Sequence, residues 1–148
     1  MRYIGLDLGT RTVGVAYSDL TGTIALPDQT YRFNEKDRAK TLESALKYVK
    51  IVVEEKQGEK IVLGLPKNMD NTLGDRALLS LDFKKKLEDY FGLEVIMEDE
   101  RLTSVISNNI LLSADISRQK RKKKVDGIAA QIILQSYLDK ENSRKNER

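Results

Sequence analysis

The sequence predicts a single α/β domain, a mixed β-sheet flanked by helices. Three observations point there. Residues 2–8 and 13–19 alternate apolar with small or polar side chains around a Gly9-Thr10-Arg11 turn, the period of an antiparallel hairpin. Further on, short apolar runs at 60–66 (KIVLGLP) and 93–100 (LEVIMEDE) alternate with helix-period stretches, as βα crossovers do. The 148 residues suit one compact domain that buries roughly 70% of its unfolded surface.

After the hairpin, 23–33 (TIALPDQTYRF) reads as a third strand. Pro27 has no N–H to give a ladder, so it marks an edge or a bulge. Residues 37–57 form an amphipathic helix with Ala39, Leu42, Leu46, Val49 and Val53 on one face, ended by Gln57-Gly58. The run 60–66 suits a strand buried on both faces. A polar loop, KNMDNTLGD, leads to a helix over 75–91 and then to the strand over 93–100. A helix over about 103–112 has Thr103 as its N-cap. A basic loop follows, and a helix over about 125–139 closes a domain spanning 1–140. Residues 141–148 are a polar tail expected to fray. The order is β-β-β-α-β-α-β-α-α, with no internal repeat or linker.

Composition narrows the chemistry. There is no Cys, which excludes disulfides and cysteine-held metals. There is no His, which removes Ser-His triads and histidine-ligated zinc. Hydrolysis is left to carboxylates, lysines, hydroxyls or a carboxylate-bound metal. The opening MRYIGLDLGT lacks the apolar core of a signal peptide, and no window approaches 18 apolar residues. A cytoplasmic protein without a membrane partner is expected.

The net charge of +3 is unevenly spread. Residues 118–148 hold ten Lys/Arg against four Asp/Glu, whereas 1–117 hold sixteen against nineteen. The centre is RQKRKKK, 118–124. Such a run is either a solvated loop or a polyanion contact.

Carboxylates fall in three informative places. Asp7 shares a strand face with Tyr3 and Gly5, and Gly5 should leave open space beside it. A lone buried carboxylate is costly, so Asp7 either bonds the Gly9-Thr10 turn or meets a cation. Glu98, Asp99 and Glu100 fall at the carboxyl end of a strand, where open α/β sheets place their sites. Alternation puts Glu98 and Glu100 together and does not choose between them. Asp126 aligns with Ala129, Ala130, Ile133, Leu134 and Tyr137 on one helix face, so it points toward the sheet. Ala129 and Ala130 allow close approach. Inward carboxylates repel unless a cation joins them, and hard oxygen donors suit Mg²⁺ or Mn²⁺. With the basic loop just before Asp126, a nucleic-acid backbone is the expected substrate.

These residues resemble the YqgF family, also called RuvX, RNase H-like proteins assigned as Holliday junction resolvases or pre-16S rRNA nucleases. The matching segments are GLDLGTRTVGVAYSD, IVLGLPKNMDNTLG, DERLTS and SRQKRKKKVDGIAAQIILQSYLD, spread over 5–139 in family order. The resemblance implies a five-stranded mixed sheet of order 3-2-1-4-5. It implies Asp7, Glu100 and Asp126 as the metal-binding catalytic acids, which selects Glu100 over Glu98. Family members often have Gly at Asn71, Thr at Ser104 and a larger polar residue at Gly127. As the first turn of a helix, Gly127 would weaken it by about 1 kcal/mol relative to Ala.

The expected roles are those of two-ion phosphodiester hydrolysis, leaving 5′-phosphate and 3′-hydroxyl ends. Asp7 bridges both Mg²⁺ or Mn²⁺ ions, and Glu100 and Asp126 each complete one shell. Lys120, Arg121, Lys122, Lys123 and Lys124 are candidate phosphate contacts, with Arg101 and Lys67 at strand ends as further ones. Asn68 and Asp70 are either turn residues or substrate contacts. The family points to the 5′ end of precursor 16S rRNA or to a four-way DNA junction. Symmetric cutting of the junction needs a two-fold dimer, so monomer and homodimer both stay open. Two other readings remain. GLDLGT is similar to the phosphate loop of sugar kinases, actin and chaperone ATPases, but those hold nucleotide between two copies of this kind of domain. A non-catalytic RNA- or ribosome-associated module would keep the same acids without turnover.

Overall fold

The computed structural model describes residues 1–68, 70, 72–100 and 127–146. The helix expected over 103–112, Arg101, Ser104, the basic run 118–124, Asp126 and Asn71 lie outside the described residues. The strands are β1 (Tyr3–Leu8), β2 (Thr12–Ser18), β3 (Ala25–Arg32), β4 (Lys60–Leu65) and β5 (Val95–Asp99). The described helices are α1 (Arg38–Lys56), α2 (Asp75–Phe91) and α3 (Ile128–Asn146). One sheet has the order β3-β2-β1-β4-β5. The β1–β2 and β2–β3 pairs are antiparallel, and the β1–β4 and β4–β5 pairs are parallel. Both expectations for Pro27 hold together. It lies on the edge strand, opposite Ala16, where the β2–β3 register shifts between Val15 and Ala16.

Alternation sorts the sheet into two unlike faces. Ile4, Leu6, Leu8, Val13, Val15, Ile61 and Leu63 face α1 and α2 in the larger core with Val49, Val52, Phe83 and Leu87. The other face carries Gly5, Gly14, Ala16 and Gly64 beside Tyr3 and Val62, and α3 lies on it through Ala130, Ile133, Leu134 and Leu138. Small residues on both partners set the spacing. A Cβ at Gly5 would stand 2.7 Å from Leu134 Cβ and 2.9 Å from the Ala130 carbonyl oxygen. The space beside Gly5, expected to lie open next to Asp7, is therefore filled by α3.

Three local readings are revised. In α1, Ala39 is exposed, and the buried stripe is Thr41, Ala45, Leu46, Val49 and Val52, with Leu42 and Val53 at its margin. Asp37 caps the helix by accepting from the Ala39 N–H at 2.8 Å. At the other end of the chain, α3 continues through 140–146 instead of stopping near 139. Lys140 and Asn142 anchor this extension, the latter donating to the Gly22 carbonyl at 3.2 Å. Finally, Gly127 precedes α3 and does not dilute its first turn. It has φ 77° and sits on the β2–β3 bulge, where a Cβ would be 2.9 Å from Val15 O and 3.0 Å from Asp28 N. The glycine serves a left-handed backbone and a close approach.

Candidate active site

Strand β1 delivers Asp7 to the α3 face near its carboxyl end, and the chain leaving β5 delivers Glu100 beside it. The two carboxyls share a hydrogen bond. Two features let them meet. Gly64 on the intervening β4 has no side chain, and Glu100 lies over it; a Cβ at Gly64 would overlap Glu100 Oε2 and stand 2.7 Å from Ile133 Cδ1. Arg76, in the first turn of α2, supplies positive charge. Its guanidinium donates to the Leu8 carbonyl at 3.0 Å and lies 3.7 Å from Asp7 Oδ1 and 3.8 Å from Glu100 Oε1.

The electrostatics follow from this packing. Burial raises the Asp7 carboxyl above its ordinary range, and Arg76 and the bond with Glu100 pull it partly back. Burial first, and the Asp7 charge second, push Glu100 up to about 8. Asp7 Oδ1 is buried and accepts no hydrogen bond. A hard divalent cation suits this donor set: two adjacent carboxylates, no soft ligand, and one buried oxygen without a hydrogen bond. The residues present fit Mg²⁺ or Mn²⁺.

Glu98 and Glu100, which alternation left together, have different partners. Glu98 is buried against α3, where Lys140 Nζ and Ser136 Oγ both donate to its Oε1. Glu100 turns to Asp7 and Arg76. Asp126 is next in sequence to Gly127, whose backbone lines the cleft beside Asp7, but it lies outside the described residues. The same holds for Lys120, Arg121, Lys122, Lys123, Lys124 and Arg101.

The polar loop after β4 closes on itself. Asp70 Oδ1 accepts from the Thr72 N–H at 3.0 Å and its hydroxyl at 2.5 Å, and Asn68 Nδ2 donates to Thr72 Oγ1 at 2.9 Å. These bonds hold the Asp70 carboxyl below its usual range. Lys67 stands at the exit of β4, with its N–H bonded to Leu65 O at 3.0 Å.

Sequence reasoning passed over Arg76 and Gly64. Each carried a signal. A cation in the first turn of a helix opposes the helix dipole, so Arg76 is placed against its local preference. A glycine inside an apolar strand run marks close approach of another group.

The sheet order and helix placement are those of the RNase H-like fold. RuvC of Thermus thermophilus in complex with a Holliday junction substrate superposes with a TM-score of 0.56 at 12% identity, over 90% of this chain and 91% of that one. The ROK hexokinase of Thermus thermophilus gives 0.52 at 21% identity, over 72% of this chain but 38% of that one. A family model described as "RuvX: Holliday junction resolvase" matches residues 1–140. The chain belongs to the RuvX family. A relative from Oenococcus oeni, named "Putative pre-16S rRNA nuclease", is 46% identical over 147 residues, 99% of each chain. One of the same name from Bacillus subtilis is 44% identical over 142 residues, 96% of this chain and all of that one.

Proposed function

We propose that this protein is a Mg²⁺- or Mn²⁺-dependent nuclease that processes the 5′ end of precursor 16S rRNA. The observation that carries the chemistry is the Asp7–Glu100 pair, brought together across β4 from the ends of β1 and β5, with Arg76 against both. The RNA substrate is supported by the names of near-full-length relatives. Asp7 and Glu100, with Asp126, would hold one or two ions, which when bound lower the pKa of water and neutralise phosphate charge. Asp7 and Glu100 fix the geometry because neither can leave its packed strand end. Arg76, tied to Leu8 O, keeps a positive charge at the site that a phosphate can meet. Water adds to phosphorus and the bond to the 3′ oxygen breaks, leaving 5′-phosphate and 3′-hydroxyl ends. Residues 1–140 form the nuclease unit, and 141–148 are a polar extension outside the chemistry. The basic run Lys120–Lys124, Arg101 and Lys67 contact phosphates, whereas Asn68 and Asp70 shape a turn. The site works in the cytoplasm, where precursor rRNA is found.

One assay tests this reading. End-labelled precursor 16S 5′ leader, single-stranded RNA and a four-way DNA junction are incubated with wild type and Asp7→Asn, in Mg²⁺, Mn²⁺ or EDTA. RNA cleavage that disappears in EDTA and in the variant is the expected result. Paired cuts in the junction alone would replace it with the resolvase reading, which the family description favours and which needs a two-fold dimer. RNA binding without any cleavage would leave a binding module.

A further inference from the structure

A cleft of about 230 Å³ opens on the β2–β3 side of Asp7, lined by Asp7, Thr12, Gly14, Thr30, Arg32 and the start of α3. Its floor follows from the register. Asp7 pairs with Gly14 and Gly14 with Thr30, while Thr12 pairs with Arg32, so all share the α3 face. Gly14 leaves a trough, since a Cβ there would lie 3.7 Å from Asp7 Cβ and 3.6 Å from Thr30 Oγ1. The wall on the α3 side is Gly127, Ala129 and Ala130, which add no bulk and no charge. Thr30 Oγ1 accepts from the Gly127 N–H at 3.1 Å, and its hydroxyl donates to no acceptor among the described residues.

Arg32 gives the cleft its charge. It is exposed at the end of the edge strand and makes no side-chain hydrogen bond or ion pair among the described residues. Arg38, Arg76 and Arg144 by contrast each face a carboxylate. A guanidinium and two hydroxyls in a trough ending at Asp7 match a phosphate ester: a fork for its oxygens and donors beside it. Two strand spacings, roughly 10 Å, separate the β1 and β3 backbones. Arg32 thus serves a neighbouring phosphate and not the one at Asp7.

We propose that this cleft is the track for the substrate's sugar–phosphate backbone, with Arg32 holding the phosphodiester next to the one that is cut and Thr12 and Thr30 as hydroxyl donors. This rests on the nuclease reading. It concerns the backbone chemistry common to RNA and DNA, so the test carries both. Binding of labelled single-stranded RNA and of DNA of the same sequence is measured with Asp7→Asn protein, alone and combined with Arg32→Gln, across a KCl series. Lys47→Gln, on the exposed side of α1 behind the sheet, controls for net charge. Arg32→Gln is expected to weaken both strands roughly fivefold and to flatten the salt slope by about 0.7–1 unit. Thermal unfolding should be unchanged, because the exposed Arg32 side chain makes no hydrogen bond or ion pair among the described residues. An unaltered slope, or an equal loss with Lys47→Gln, overturns the track while leaving the nuclease reading intact. Loss confined to RNA would move the contact to the 2′-hydroxyl and overturn the phosphate assignment. Failure of the Asp7→Asn protein to bind either strand would sink both readings.

Discussion

Gly64 and Glu100 occupy one another's space: the side chain that position 64 lacks is replaced by the carboxyl of Glu100 lying over β4. A Cβ there would also press on Ile133 Cδ1 at 2.7 Å, so neither β4 nor α3 can yield without moving the other. Gly64→Ala should therefore destabilise the fold by about 1–3 kcal/mol, as overpacking does, and should displace Glu100 from Asp7. Urea unfolding and cleavage rate read the two effects. Unchanged stability with unchanged cleavage would mean that the carboxyl has room elsewhere.

The two glutamates that alternate together at the end of β5 should part company in function. Glu100→Gln should lower cleavage by more than about 100-fold, the upper end for residues that merely support a metal site. Glu98→Gln faces Lys140 and Ser136 and should leave cleavage nearly unaltered while reducing stability. Equal losses in both variants would show that the acid assignment is wrong.

Arg76 is a fixed cation beside the acid pair, and it opposes a second cation there. Arg76→Gln should tighten Mn²⁺ binding about tenfold, the lower end for a charge of this kind, because the guanidinium is half exposed and solvent-screened. Titration calorimetry of the nucleic-acid-free protein reads this directly. Weaker Mn²⁺ binding would mean that Arg76 orients the acids more than it repels metal.

Glu100 also sets a pH dependence for the metal-free protein. Its carboxyl is pushed up to about 8 in the fold from an ordinary value of 4.5. The folded chain thus keeps a proton that the unfolded chain releases, and stability falls as pH rises through that window. In EDTA, the wild-type melting temperature should fall more steeply between pH 5 and 8 than that of Glu100→Gln. Mn²⁺ should restore it at pH 8 by binding the folded state. Parallel profiles for the two proteins would count against burial of Glu100.

The sequence by itself determined the order of the described elements, the hairpin, the α2 boundaries and the placement of Asp7 in a buried strand, because local period and turn chemistry decide these. The same period put Asp7 on one strand face with Tyr3 and Gly5, and the family motifs gave the strand order later found. Tertiary structure alone decided the rest. It separated Glu98 from Glu100, because the distinction lies in what α3 and β1 bring near each carboxyl and not in strand period. It filled the space beside Gly5 with Ala130 and Leu134 and left a cleft over Gly14, since the start of α3 meets the sheet there only through Gly127, Ala129 and Ala130. It brought Arg76 from α2 to the acids and made Gly64 a requirement. Gly127 changed meaning for the same reason: its left-handed backbone answers a bulge in β2 and β3, far away along the chain. A sequence period reports which face a residue takes, whereas the neighbour it meets there depends on how distant elements pack.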